Sequence, residues 1–261
     1  MPARTKHAPG TPSWVDLQTS DPAAAKSFYR ALFDWDYEDL PVGDGADGRP
    51  AFYSMARKNG KDIGAIAALP MPGIPPHWNT YITVADVDAS AAQVGGAGGT
   101  VVMDAFDVMD AGRMAVISDP TGAMFNLWTP KNSIGAELVN EHGTLSWNEL
   151  MSPDVPAAAK FYEKLFGWGS STMGTPEMEY TEFKLGDRSI AGGMKPPMPG
   201  MPAVWGNYVA TDDTDKTAEL ATANGGTVIQ GPMDIEPGRM AVIADPTGAM
   251  FSVIKMKVAG D

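Results

Sequence analysis

The chain has 261 residues, 44% of them hydrophobic, enough to bury one large core or two modest ones without covalent staples. It contains no Cys, which excludes disulfides, thiolate nucleophiles and thiolate metal sites, and its formal net charge of −13, with no basic stripe interleaved with aromatics, opposes a nucleic-acid partner. No apolar run approaches the roughly 18 residues of a membrane span, and no apolar stretch follows the basic opening MPARTKHAPG, so a cytoplasmic protein with a short mobile arm is expected.

In chain order, residues 12–19 read as a short strand. Asp21 as N-cap and Pro22 in the first turn then open a helix whose Phe28/Leu32 and Tyr29/Phe33 pairs fall at i, i+4. Three strand-like runs follow, WDYEDL, AFYSMARK and DIGAIAAL, separated by Gly, Asn and Pro turn signals. That makes a βαβββ unit. After the joint LPMPGIPPH the order returns as NTYITV, a weak helix from Asp86 into the GGAGG of 95–99, then TVVMDAFDV, RMAVISD and AMFNLW. DPTG joins the last two as a hairpin turn suited to Pro and Gly.

The whole pattern is then written a second time. GRMAVISDPTGAMF (112–125) returns as GRMAVIADPTGAMF (238–251), and WVDLQTSDPAAAKSFYRALFDW (14–35) answers WNELMSPDVPAAAKFYEKLFGW (147–168), 133 positions on. WNTYITVADVD (78–88) answers WGNYVATDDTD (205–215) at 127, so the first half has gained a surface loop at the acidic, Gly-rich PVGDGADGRP. Two homologous domains are expected, 11–130 and 144–257, with a linker at 131–144. Each is a pair of βαβββ units, and the fold class is α+β.

The strand followed by DPAAAKSFYRALFDW or DVPAAAKFYEKLFGW, the YITVADVD joint and the DPTG hairpin resemble the vicinal oxygen chelate superfamily of glyoxalases, bleomycin-resistance proteins and extradiol dioxygenases. The resemblance covers residues 12–256 twice over and is similar to the two-domain actinobacterial type. It implies that two βαβββ units form a cupped, barrel-like sheet around a ligand cavity. It also implies a divalent metal held by His, Gln or Glu on the first and last strands of the units. Carried over residue by residue, those ligand positions fall on Trp14 and Trp147, Asn79 and Gly206, and Asn126 and Ser252, while the fourth-strand stretches 63–69 and 190–194 hold no acid or His. Indole, glycine and aliphatic groups are not Lewis bases for such a cation. No metal and no other cofactor is therefore expected; a weak cation site from the oxygens of Asp16, Asn79 and Asn126 is the lesser alternative.

Side-chain alternation puts residues two apart on the same wall. Trp14, Asp16 and Gln18 thus share the first cup with Asn79, Tyr81, Met124, Asn126 and Trp128, and the second holds Trp147, Glu149, Met151, Gly206, Tyr208, Met250 and Ser252. Aromatic, Met-rich walls with a few polar groups suit a hydrophobic small molecule. Asp16 and Glu149 occupy matching positions, and burial would raise their pKa toward acid or base duty; the competing reading is that each bonds a nearby hydroxyl and merely orients the sheet. The substrate contacts expected are Trp14, Gln18, Asn79, Tyr81, Asn126, Trp128, Trp147, Tyr208 and Ser252. Arg113 and Arg239 read as surface ion pairs with acids such as Asp104, Asp107 and Asp110, His77 as a loop residue near a cavity mouth, and the PMPG segments as apolar joints.

The favoured function is metal-independent acid–base catalysis, namely dehydration, cyclisation or ketal formation, on an aromatic or polyketide-like metabolite. The alternatives are antibiotic sequestration without catalysis and a metal-dependent glyoxalase or dioxygenase. A monomer or a homodimer fits equally.

Overall fold

The computed structural model describes residues 3–44, 48, 50–175 and 178–257. The first half runs β1 (Thr11–Thr19), α1 (Pro22–Phe33), β2 (Asp36–Asp44), β3 (Pro50–Lys58), β4 (Lys61–Ala68), β5 (His77–Thr83), α2 (Val87–Ala97), β6 (Thr100–Val108), β7 (Gly112–Ser118) and β8 (Met124–Pro130). The second repeats it as β9 (Leu145–Met151), α3 (Val155–Phe166), β10 (Gly169–Thr175), β11 (Met178–Leu185), β12 (Arg188–Met194), β13 (Val204–Ala210), α4 (Thr214–Ala223), β14 (Thr227–Ile235), β15 (Gly238–Ala244) and β16 (Met250–Met256). The expected loop at PVGDGADGRP is narrower than its composition suggested, since β2 runs on to Asp44 and β3 begins at Pro50; Gly45, Ala46, Asp47 and Arg49 lie outside the described residues.

Each half forms one eight-stranded sheet, ordered β2-β3-β4-β1-β5-β8-β7-β6 and β10-β11-β12-β9-β13-β16-β15-β14. The first strands of the two units pair antiparallel at the centre, and each pairs parallel with the last strand of its own unit. All strands of a sheet come from one half, so each cup closes within its own domain. The architecture is the tandem, cupped α+β arrangement that the repeat implied.

The helices start where the chain offers an oxygen to their free N–H groups. Asp21 accepts from Ala24 N at 3.0 Å and Asp154 from Ala157 N at 2.9 Å, with Pro in each first turn. Their apolar stripes do not cover their own sheets alone. Phe28, Tyr29, Leu32 and Phe33 of α1 join a core with Ala241, Ile243, Phe251 and Val253 of the second sheet, while Phe161 and Tyr162 of α3 meet Ala115, Ile117, Phe125 and Leu127 of the first. At about 1.5–3 kcal/mol for each large apolar side chain buried, this crossed packing is what joins the halves.

The repeated 14-residue sentence receives its physical reading in this seam. Asp119 and Asp245 close the DPTG turns by accepting from Thr121 N and Oγ1 and from Thr247 N and Oγ1, and each then takes a tyrosine hydroxyl from the other half. Tyr162 donates to Asp119 at 2.9 Å and Tyr29 to Asp245 at 3.2 Å. The N-terminal arm, expected to be mobile, is instead docked from residue 4 onward. Arg4 N donates to Glu137 O, His7 Nε2 bonds Ala136 O at 2.8 Å, and Trp168 Nε1 donates to Gly10 O at 2.8 Å. Among the described residues no helix is long and apolar enough to cross a membrane.

Candidate functional site

Along β1, Val15 and Leu17 enter the core between the halves, so the alternate residues Trp14, Asp16 and Gln18 face the concave side. Their antiparallel partners on β5 are Tyr81, Asn79 and His77, which share that face. β3 adds Tyr53 and Met55, opposite Ala67 and Ala65 of β4.

In the first cup these side chains form a connected chain. Trp14 Nε1 donates to Tyr53 Oη at 2.9 Å; Tyr53 and Tyr81 donate to Asp16 Oδ2 at 3.0 and 2.7 Å; Asn79 Nδ2 donates to Oδ1 at 2.8 Å. Asn126 lies near enough to the Tyr81 hydroxyl to pull its pKa down slightly against burial, and Trp128 stands edge-on to the Tyr81 ring at 6.3 Å. Asp16 is only 2% exposed. Burial pushes its carboxyl above the ordinary range, and the donors Tyr81, Asn79 and Tyr53 pull it part of the way back. Burial beside that carboxyl also drives the Tyr53 and Tyr81 hydroxyls far up, which keeps them donors. One end of this cup is closed by the linker: Ala136 packs with Trp14, Tyr81 and Trp128, its N–H bonds Ser13 O, and Trp128 Nε1 donates to Ser133 O at 3.0 Å.

The second cup keeps the chain with changed parts. Trp147 Nε1 donates to Tyr180 Oη at 2.9 Å and Tyr208 donates to Glu149 Oε1 at 2.9 Å, with Tyr180 near enough to Glu149, and Ser252 to Tyr208, to favour their ionised forms. Burial raises the Glu149 carboxyl, opposed by Tyr208 and then Tyr180. Gly206 stands opposite Glu149 where Asn79 stands opposite Asp16, so the amide donor is missing and Glu149 is 7% exposed. Gly192 pairs with Glu149 as Ala65 pairs with Asp16. A Cβ there would overlap the Tyr180 hydroxyl and meet Trp147 Nε1 at 2.9 Å, so the bare backbone is what lets Tyr180 lean in.

Asp16 and Glu149 each sit at the centre of such a network, with Trp14, Asn79, Tyr81, Asn126, Trp128, Trp147, Tyr208 and Ser252 around them. Gln18 stands one step outside, opposite His77 at the open end. Tyr53 and Tyr180 join these candidate-site networks without having been singled out from the sequence. Their signal was the repeat itself, since both keep the 127-residue offset on strands whose alternate residues face the cup. Met124 and Met250 lie at the lips, 44% and 46% exposed, rather than inside. Arg113 pairs with Asp88 at 2.7 Å and with Asp107 at 3.5 Å, where Asp104 and Asp110 had been the other expected partners; Arg239 pairs with Asp215 and Asp234. The PMPG segments lie in exposed connections between the units.

The donor set does not fit the metal that the fold family implies. Each network holds one carboxylate, and both Asp16 oxygens accept hydrogens from tyrosine or amide groups, the Asn79 amide turning its nitrogen toward them. Among the described residues no cluster of three His, Cys, Asp or Glu side chains forms.

The Glyoxalase/Bleomycin resistance protein/Dioxygenase superfamily pattern matches residues 11–127 and again 144–253. The chain is 51% identical over 260 residues to the putative glyoxylase CFP32 of Mycobacterium tuberculosis, covering 98% of both proteins. It is 35% identical over 269 residues to the anthracycline biosynthesis protein DnrV of Streptomyces peucetius, covering 97% of this chain and 96% of that one. Among solved structures, the Mn(II)-bound glyoxalase from Novosphingobium aromaticivorans aligns with a TM-score of 0.63 at 16% identity, over 98% of this chain and 86% of that one. The 2,3-dioxygenase LapB from Pseudomonas sp. KL28 aligns at 0.64 and 15%, over 95% and 92%. With this fold and these matches, the chain belongs to the glyoxalase, bleomycin-resistance and dioxygenase superfamily and carries its domain twice.

Proposed function

We propose that the protein acts in secondary metabolism, binding a hydrophobic, aromatic or polyketide-like molecule in its cups and carrying out acid–base chemistry on it without a metal. The reaction class is dehydration, cyclisation or ketal formation. The observation that carries this reading is the duplicated carboxylate, buried among indole and phenol rings and framed by tyrosine hydroxyls. A carboxyl raised by burial holds or releases a proton nearer neutrality, and the hydroxyls beside it steady either form. The likeness to DnrV supports the choice of a polyketide-like class, since that relative is named for anthracycline biosynthesis. Of the two acids, Glu149 is the better placed to meet a ligand directly, because Gly206 leaves the space that Asn79 fills beside Asp16.

Binding without catalysis is the second reading, favoured by one observation: Asp16 already accepts three hydrogen bonds, the arrangement of a structural strut. Anthracycline aglycones titrated against the protein, followed by tryptophan quenching and product analysis, decide between them. The catalytic reading expects Glu149→Gln to keep affinity and lose conversion. Retained affinity with no conversion by the unaltered protein would leave only the binder, and a stoichiometric transition metal in the purified protein would overturn the metal-independent mechanism.

A further inference from the structure

His77 opens β5 directly opposite Gln18, on the same face as Asn79 and Tyr81, so it stands at the open end of the first cup. Its ring is half-buried, and Nδ1 lies 2.8 Å from the carbonyl oxygen of Pro75. A carbonyl only accepts, so Nδ1 carries a hydrogen, and the neutral ring therefore has its free lone pair on Nε2, at the opposite side from the Pro75 anchor. The elements flanking β5 present few charges to it. β1 offers Asp16, whose carboxylate is close enough to interact electrostatically with His77, and the uncharged Gln18; β8 offers the uncharged Met124 and Asn126. Behind Asp16 lie the hydroxyls of Tyr53 and Tyr81. The second cup has Val204 at this position and no counterpart to the imidazole.

Asp16 is walled in by its three donors, so a ligand in the first cup needs another group through which to exchange a proton. We propose that His77 Nε2 is that group, taking the proton from an acidic hydroxyl, phenol or enol, of a ligand seated over Asn79. The ligand O–H bond breaks, an Nε2–H bond forms, and the imidazolium lies within electrostatic reach of Asp16 while Pro75 O holds the ring in place. The return of the proton regenerates the neutral ring, and nothing else is consumed. This assignment rests on the aromatic-ligand reading above and adds the catalytic residue of the first cup.

Alizarin, a hydroxyanthraquinone whose visible band moves to the red when its phenol ionises, is a direct probe. Bound to the unaltered protein at a pH where free dye is neutral, it is expected to show the ionised band, with the midpoint of its pH titration lowered by about one unit, a tenfold change. His77→Asn keeps a donor for Pro75 O and removes the Nε2 acceptor, and His77→Gln is the second variant. Both are expected to bind the dye, judged by equilibrium dialysis, and to lose the shift. A neutral band in the unaltered complex, or a shift that survives in either variant, overturns the role of His77 and leaves the proposed function standing. Failure of the unaltered protein to retain any dye or aglycone would remove the aromatic-ligand reading itself.

Discussion

The seam between the halves and the interiors of the cups descend from the same duplicated sequence, and the aromatic part of the seam is the more symmetric, although its central polar cluster has changed where Asn148 answers Val15 and Asn207 answers Thr80. Tyr29 stacks on Trp35 at 5.2 Å and Tyr162 on Trp168 at 5.0 Å; Trp78 and Trp205 donate to those two tyrosines, which in turn donate to Asp245 and Asp119. Even the glycine carbonyls match, Gly143 accepting from Trp35 and Gly10 from Trp168. In the cups, by contrast, Asp16 faces Glu149 across the repeat, Asn79 faces Gly206, His77 faces Val204, Gln18 faces Met151 and Trp128 faces Ile254. The tyrosine–aspartate bonds of the seam cross from one half to the other, so losing either partner leaves a buried polar group of the other half without it. The hydrogen-bond network of each cup stays within its own half. The difference teaches that the two domains share one scaffold requirement, while each cup network is free to change within its own half.

The largest expected effect tests the symmetry of the seam. Trp35→Ala and Trp168→Ala should each destabilise the protein by about 3–5 kcal/mol, because each removes a fully packed indole and its bond to a glycine carbonyl. Urea unfolding that gives one loss several times the other would break the comparison. Tyr162→Phe is milder, about 1–3 kcal/mol, since it takes a donor from buried Asp119 and an acceptor from Trp205 Nε1 while leaving the ring in place.

Inside the cups the corresponding test is Gly192→Ala. The first cup tolerates Ala65 at that register, but in the second the new methyl collides with Tyr180. A loss of about 1–3 kcal/mol is expected, with a changed near-ultraviolet dichroism signal as Trp147 loses its hydroxyl partner. An unchanged spectrum and midpoint would mean that the Tyr180 position does not depend on the bare glycine.

These contrasts explain how much of the molecule was legible in advance. Helix caps, the strand order within a unit and the doubled domain follow from local rules: Asp21 and Pro22, Gly-rich breaks, period-two alternation. The inward placement of Asp16 and Glu149 came from alternation too. What local rules do not carry is contact across the chain. Nothing near Tyr53 announces that its hydroxyl meets Asp16, 37 residues away, or that Tyr29 reaches Asp245, 216 residues away. The docking of the arm was hidden for the same reason, since its partners Ala136, Glu137 and Trp168 are distant in sequence.

A pH experiment sharpens the comparison further. Burial lifts the Asp16 carboxyl, so the folded state binds that proton more tightly than the unfolded one. The stability linked to it is fully present below the unfolded value and drains away as pH rises through the folded one. Surface acids run the other way: Asp88, Asp107 and Asp215 are held low by Arg113, Lys131 and Arg239, and their contribution fades as pH falls. The thermal midpoint of the unaltered protein minus that of Asp16→Asn isolates the first group. That difference should decline as pH rises above the ordinary aspartate range, and a difference that rises with pH would show that the three donors outweigh burial.

The smallest effect is expected from grafting one cup onto the other with Gly206→Asn. A Cβ at this position fits, its nearest neighbours being Met151 Cε at 3.4 Å and Glu149 O at 3.7 Å, so stability should change by no more than about 0.5 kcal/mol. The new amide stands where Asn79 stands opposite Asp16 and supplies Glu149 with the donor it lacks. A hydrogen bond to the ionised form favours it, so the Glu149 carboxyl should titrate at lower pH in the variant, as followed by carbon NMR of labelled glutamate. A ligand that enters the second cup past Gly206 should also bind more weakly once that space is filled. If titration moves and affinity does not, the ligand approaches Glu149 from the side of Ser252 instead; if neither moves, the divergence of the cups at this register has no bearing on the carboxylate.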